Sequence, residues 1–298
     1  MDLENENSTV DFFFRDEKPL LHLKKFNRNI LKNHTDTFEF LVPQPDDNEL
    51  NIIYSKGYYD TWGIGTMHEM VRLQKMKTFD ARLNLLKSHL SPTAKLLDCG
   101  CATGFLMESA KQMGYDVYGI DISTFAAGES IRKFGTDHVY CGKLEEAIFT
   151  ANPEGKFDAI FMMDYVEHVR DPLKILNEAY ARLKTGGIIL LTTPKLNSLS
   201  RKLMASEWSH YKEEHLFYFS SSSLEKILEA AGFTDVSEKP AVKYLSFAYI
   251  KGHFQTYRHT LFTPLIGLID KLLPAAIKSK PIRYRLGDLM MMGTKKGS

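Results

Sequence analysis

Two glycines and two carboxylates stand at a spacing that could hold a small ligand against the backbone. Asp98-x-Gly100-x-x-x-Gly104 is followed by Asp121, seventeen residues beyond Gly104. Glycine lets backbone approach a ligand closely, and a helix that starts after such a turn presents free N–H groups to a carboxylate. A carboxylate at Asp121 can accept both hydroxyl protons of a ribose. A dinucleotide fingerprint would need glycines at 100, 102 and 105, and Ala102 and Phe105 break it. A second group of residues can move protons. Trp208 to Ser220 contains Tyr211, Glu214 and His215, and a shorter run reads Asp164-Tyr165-Val166-Glu167-His168. Histidine, with an ordinary pKa near ~6.5, suits proton removal at neutral pH. Asp164, Glu167 and His168, at i, i+3 and i+4, would share one face of a helix and offer oxygen and nitrogen ligands.

Alternating strands and helices are expected to bring these residues together. Residues 95–99 read as a strand, and Phe105, Leu106, Ser109, Ala110 and Met113 form one face of a helix. Strands at 116–120 and 138–141 flank a helix at 124–134, and the apolar run 157–163 reads as a buried strand. Asp171-Pro172 is an N-cap followed by proline at the first helical position, and Gly186-Gly187 ends that helix before a strand at 188–193. The pattern Ser222-x-x-Glu225 predicts a capping box for a helix closed by Gly232. Upstream, Phe79, Leu83, Leu86 and Leu90 predict a helix from Thr78. The alternation predicts an α/β domain with a parallel sheet and helices on both faces, whose ligands bind at the carboxyl ends of the strands.

The loop Asp98 to Phe105 resembles motif I of the class I S-adenosylmethionine-dependent methyltransferases. That resemblance implies a Rossmann-like sheet of seven strands, mostly parallel, with an antiparallel last strand expected at 287–296. It implies S-adenosyl-L-methionine as cofactor, with Asp98 orienting its ammonium group. Backbone at Gly100, Cys101, Ala102 and Gly104, with Phe105 beside them, would line the methionine half. Asp121 would take the ribose, Ile122 and Leu144 the adenine, and Asp164 and Tyr165 would lie beside the methionine portion. The Glu-His-Leu segment is similar to one in a broad bacterial family that includes sugar C-methyltransferases. There a Tyr and a Glu-His pair do acid/base work, which implies His215 as base with Glu214 and Tyr211. The Tyr211 to Glu214 spacing is one residue longer than that pattern. The run around His168 resembles the Glu-x-x-Glu-His metal site of quinone O-methyltransferases. Its first ligand is Asp instead of Glu, and the reading adopted places His168 among the catalytic residues and uses no metal. Tyr58 and Tyr59 match the lead-in of the broad family and are expected to cover cofactor or substrate. With no cysteine before Cys99, the zinc module that precedes this lead-in in many relatives is absent.

Composition bounds the rest. The 298 residues are 44% hydrophobic and 25% charged, ordinary for a globular protein with a sizeable core. Three cysteines supply neither a disulfide framework nor a zinc set. No run is long enough to span a bilayer and the acidic start is unlike a secretory signal, so the expected address is the cytoplasm. The expected organisation is an N-terminal arm or cap over 1–62, a cofactor-binding core over 63–240, a basic helical insertion or lid over 241–286 and a final strand and tail over 287–298. Net charge is +1, yet residues 241–298 hold ten Lys/Arg against Asp270 and Asp288 alone. That asymmetry suits an anionic acceptor, or peripheral membrane contact through 261–285. Near-neutral charge, and the lack of an Asn-Pro-Pro-Tyr-type motif after the fourth strand, speak against a nucleic-acid acceptor. The leading expectation is methyl transfer to oxygen or carbon of a small molecule: a sugar, glycan precursor, quinone-like compound or secondary metabolite. The alternative is a non-catalytic cofactor-binding scaffold.

Overall fold

The computed structural model describes residues 7–54, 68–285 and 287–297, so the expectation for Tyr58 and Tyr59 lies outside the described residues. The strands are β1 Leu20–Lys25, β2 Arg28–Lys32, β3 Phe38–Val42, β4 Lys95–Cys99, β5 Asp116–Asp121, β6 Val139–Cys141, β7 Phe157–Met163, β8 Leu183–Pro194, β9 Phe217–Phe219, β10 Thr234–Glu238, β11 Lys243–Leu245, β12 Ile282–Tyr284 and β13 Asp288–Thr294. Seven of them form the main sheet in the order β10-β13-β8-β7-β4-β5-β6. β4 to β8 run parallel, and β13 is antiparallel to β8 and β10. The Rossmann-like seven-stranded sheet with its antiparallel last strand is therefore present.

The chain leaves β4 toward β5 and β6, then returns to β7 on the other side of β4. Strand order reverses there, which opens a crevice at the carboxyl edge. Asp98 and Asp121 close β4 and β5, Asp164 follows β7, and Asp288 opens antiparallel β13 opposite Pro194. Four carboxyl groups thus meet at one edge of the sheet. Beneath them, Leu96, Leu97, Ala159, Ile160, Phe161 and Met162 are buried on both faces, as a central parallel pair requires.

Local signals set most helix ends. Ser123 caps Thr124–Phe134, and Asp171 caps Pro172–Arg182 with proline in the first turn. The capping box of Ser221–Ala230 is made by Ser220 and Ser223, which corrects the Ser222/Glu225 expectation. The two serines exchange side chain–backbone bonds at 2.9 and 3.2 Å, and Ser223 Oγ also donates to the Thr37 carbonyl at 2.6 Å. The helix expected from Thr78 runs over His68–Leu86. Its first half escapes apolar periodicity because the buried stripe Gln74, Thr78 and Arg82 is polar. Gln74 Oε1 accepts the Ser246 N–H and Thr78 Oγ1 accepts the Tyr244 N–H, which pins β11 to this helix.

The N-terminal residues are ordered into a second sheet, β1-β2-β3-β9, which joins this region to the segment after β8. Phe38, fully buried, stacks on Phe13 at 4.0 Å and packs near Phe14, Phe40, Phe217 and Phe219. The helix Ser8–Phe14 is tied down by Ser8 and Thr9, whose hydroxyls donate to Asp171. Between β11 and β12 lie the helices Phe247–Thr256, Phe262–Leu272 and Ala275–Lys278. Among the described residues no helix is long and apolar enough to cross a membrane.

The aromatic cluster gives a stability prediction. Phe38→Ala removes the ring that five others touch, so urea denaturation should show a loss of about 3–5 kcal/mol. A change below ~1 kcal/mol would mean that the N-terminal sheet unfolds independently of the core.

Candidate active site

The turn after β4 is built around a carboxylate as much as around glycine. Gly100 and Cys101 N–H groups donate to the Ile120 carbonyl at 2.9 and 2.8 Å, and the Gly104 N–H donates to the Cys101 carbonyl at 2.8 Å. The Ala102 N–H donates to Asp121 Oδ2 at 2.8 Å, while the Ser123 N–H donates to Oδ1 at 2.9 Å. These four loop donors are satisfied internally, so the loop offers a ligand close approach. Gly100, at φ +75°, could not carry a Cβ, which would lie 2.7 Å from the Tyr165 ring. Each Asp121 oxygen keeps a lone pair for a ribose hydroxyl. Phe105 opens the helix Phe105–Gln112 with Lys133 Nζ 5.3 Å from its ring centre. Ile122 is 57% exposed, whereas Leu144 is wholly buried in the core and presents no side-chain surface.

Asp98 and Asp121 make no ion pair among the described residues. Burial raises the Asp98 carboxyl well above the usual carboxylate range, and Asp121 adds repulsion. Burial also raises Asp121, opposed by its two backbone N–H donors. A ligand cation near Asp98 would relieve this strain in charge. Arg82 stands beside the pair, 2% exposed, with Nη1 on Met163 Sδ at 3.2 Å and with no hydrogen-bond partner for Nε or Nη2. Nothing in its apolar-periodic surroundings marks it in the sequence.

Asp164 takes a left-handed backbone, φ +54°, which turns its carboxyl back over the sheet. Its N–H donates to the Thr192 carbonyl at 2.9 Å, Thr192 Oγ1 donates to Oδ1 at 3.0 Å, and Lys243 Nζ reaches Oδ2 at 3.4 Å. Burial alone would raise this carboxyl, yet Lys243, Arg82 and Lys75 hold it well below the usual range. Lys243 also pairs with Asp288 at 2.9 Å.

Residues Asp164 to His168 form a turn, so the helical Asp164, Glu167, His168 ligand face does not exist. Glu167, His168 and His215 converge instead, with donor atoms all within 4.8 Å of one another. Among the described residues, both Glu167 carboxylate oxygens and His215 Nδ1 are buried without a hydrogen bond of good geometry, with Thr193 set against the Glu167 carboxyl. Burial pushes the Glu167 carboxyl well above the usual carboxylate range and pulls His168 down to about 4. Burial, then His168 and Lys212, pull His215 well below 6.5, so its imidazole is neutral. The Leu216 N–H donates to the Glu167 carbonyl at 2.8 Å, which holds the two segments together. Tyr54, missed in the sequence, bonds His168 Nδ1 through its hydroxyl at 2.8 Å.

Glu214 is buried next to Lys212, 4.0 Å away. Tyr211, expected in acid/base work, is held away from Glu167, His168 and His215 by partners of its own. Its hydroxyl donates to Glu39 at 2.7 Å and accepts from Arg201 Nε at 2.8 Å, in an apolar cluster with Ile30, Leu41 and Trp208. Burial and Glu39 raise its pKa, so Tyr211 is a strut between the N-terminal sheet and the segment carrying His215.

A carboxylate-ended crevice at the strand reversal, beside an antiparallel last strand, defines a class I S-adenosylmethionine-binding fold. A family model described as a methyltransferase domain matches residues 67–238. The match covers more than half of the chain, which therefore belongs to the methyltransferase-domain family of class I S-adenosylmethionine-dependent enzymes, with S-adenosyl-L-methionine as cofactor. A ubiquinone biosynthesis O-methyltransferase of Methylococcus capsulatus is 32% identical over 146 residues, 46% of this chain and 60% of that protein. A tRNA U34 carboxymethyltransferase of Shewanella sediminis is 31% identical over 158 residues, 50% of this chain and 47% of that protein. The chain spans about three fifths of the length of the O-methyltransferases it matches. The magnesium protoporphyrin IX methyltransferase of Synechocystis, solved with bound SAH, shares the fold at a TM-score of 0.54 and 14% identity, over 84% of this chain and 100% of that one.

The raised Asp98 carboxyl sets a pH dependence. With the cofactor's ammonium group at Asp98, the ionised carboxyl would be favoured, so binding of S-adenosylhomocysteine should release a proton and tighten with rising pH, by up to ~tenfold per unit while Asp98 is protonated in the free protein. Calorimetry in buffers of different ionisation enthalpy reads that proton. Asp98→Asn should remove the slope and weaken binding about tenfold to a hundredfold.

Proposed function

We propose that this chain transfers a methyl group from S-adenosylmethionine to a hydroxyl oxygen of a small molecule, with His215 removing the hydroxyl proton. The observation that carries this reading is the buried imidazole of His215, whose Nδ1 has no hydrogen-bond partner among the described residues, set within 4.8 Å of the Glu167 carboxyl and the His168 ring, with burial pulling its pKa below the usual histidine range and pushing Glu167 up. When bound, the cofactor supplies an electrophilic methyl group on a sulfonium. Arg82, with two unpartnered N–H positions, fits its carboxylate, Asp98 its ammonium and Asp121 its ribose. With its proton on Nε2, His215 accepts the acceptor's proton at Nδ1 as the oxygen becomes nucleophilic. Glu167 can donate a hydrogen bond to that oxygen and hold it in line. The O-methyltransferase relatives support oxygen as the atom methylated. The buried setting of Glu167 and His215 and the chain's near-neutral charge favour a small acceptor over a polynucleotide.

The same donors support a second reading. A divalent ion held by Glu167, His168 and His215 would lower the pKa of an acceptor hydroxyl directly. Chelation separates the two, because the base mechanism keeps its activity in EDTA and the ion mechanism loses it until metal is restored.

Release of S-adenosylhomocysteine across a panel of phenols, catechols and sugars tests the activity. His215→Gln should lower kcat about 10²- to 10⁴-fold while leaving the S-adenosylhomocysteine dissociation constant unchanged. Because His215 is pulled below 6.5, the wild-type rate should stay level as pH falls to 6.5 and decline only beneath it. Tight cofactor binding without turnover on any acceptor would favour the scaffold alternative.

A further inference from the structure

The helix Phe262–Leu272 buries none of its residues. Leu261, Leu265, Leu268, Ile269 and Leu272 are exposed at i, i+4, i+7, i+8 and i+11, which makes one continuous apolar stripe, and Leu261 and Leu272 expose 72% and 77% of their surface. Ile277 and Ile282 extend the apolar surface beyond the helix. Every exposed charged side chain from 258 to 285 is basic: Arg258, Lys271, Lys280, Arg283 and Arg285. The segment's one acid, Asp270, is paired with Lys251 and Lys278.

We propose that this face is a docking surface for an anionic lipid bilayer, with the leucine stripe entering the headgroup boundary and the basic residues meeting lipid phosphates. An apolar stripe edged by like-charged bases matches an interfacial helix, whose attachment combines buried apolar area with attraction to anionic lipid. At eleven residues the helix is too short to span a bilayer, so it lies in the surface plane. Two other occupants fit less well. A two-fold dimer through this stripe would set each protomer's basic rim against the same rim, with no exposed acid within 258–285 to offset it. A nucleic acid would engage the bases but leave five aliphatic side chains without a partner. The surface is continuous with the site: Phe262 packs on Phe254, and the neighbouring His253 lies 6.4 Å from His210 in the segment that carries His215.

Flotation of the full chain with phosphatidylcholine vesicles, alone or with one third phosphatidylglycerol, tests this without reference to methyl transfer. The protein should float with the anionic vesicles and stay behind with the neutral ones, and release as salt rises. Leu265→Glu with Leu268→Glu, and separately Lys280→Glu with Arg283→Glu, should each reduce binding at least ~tenfold. All four side chains are exposed, so an unchanged melting temperature verifies the fold. Absence of flotation, or flotation indifferent to both variants, would overturn the proposal. So would lipid-free self-association abolished by Leu268→Glu, which would assign the stripe to a second copy, or salt-sensitive RNA binding without vesicle binding.

Discussion

Four carboxyl groups crowd the carboxyl edge of the main sheet, and the site follows from how their charge is compensated. Asp164 and Asp288 share Lys243, with Arg82 and Lys75 close by, so this half of the cluster is neutralised within the protein. Asp98 and Asp121 receive no such pairing among the described residues, and burial drives both pKa values upward. Desolvated like charges are costly unless a cation arrives. In the proposed site, a ligand carrying an ammonium and a sulfonium would supply it, together with hydroxyls for Asp121 and a carboxylate for Arg82. On that reading the fold spends part of its stability on a cluster that the cofactor would complete.

The surrounding elements hold the recess in shape. The polar stripe of His68–Leu86 fixes β11 through Gln74 and Thr78 and brings Arg82 against Met163 at the carboxyl edge of the sheet. The N-terminal sheet reaches across to β9, and Tyr211, bound to Glu39 and Arg201, braces the segment that ends at His215. Tyr54, at the end of Asp47–Ile53, contacts His168 through its hydroxyl and Ser123 through its carbonyl. The residue that ends this short helix therefore bridges the His168 and Ser123 sides of the crevice.

Elements whose rules are local were legible from sequence. The glycine turn, the strand-end carboxylates and the Asp171-Pro172 start each follow from backbone conformation or short-range hydrogen bonds, and each lies where expected. What escaped depends on tertiary partners. Arg82, Gln74 and Thr78 form a buried polar face, which periodicity reads as solvent-exposed. Asp164 adopts a left-handed turn that no helical spacing anticipates, so His215, forty-seven residues after His168, replaces it in the converging trio. Tyr211 fits an acid/base motif by residue type, but its hydroxyl belongs to the network around Glu39. The capping serines moved by two positions because Thr37, on a distant strand connection, supplies an acceptor for Ser223.

The central claim is that the Asp98–Asp121 edge is the cofactor site. A crystal structure of the chain with S-adenosylhomocysteine tests it most directly. The account predicts both ribose hydroxyls within hydrogen-bonding distance of the Asp121 carboxylate, the ammonium group at Asp98 and the carboxylate at Arg82. A cofactor bound elsewhere, or a ribose that leaves Asp121 bonded only to the Ala102 and Ser123 N–H groups, would contradict it.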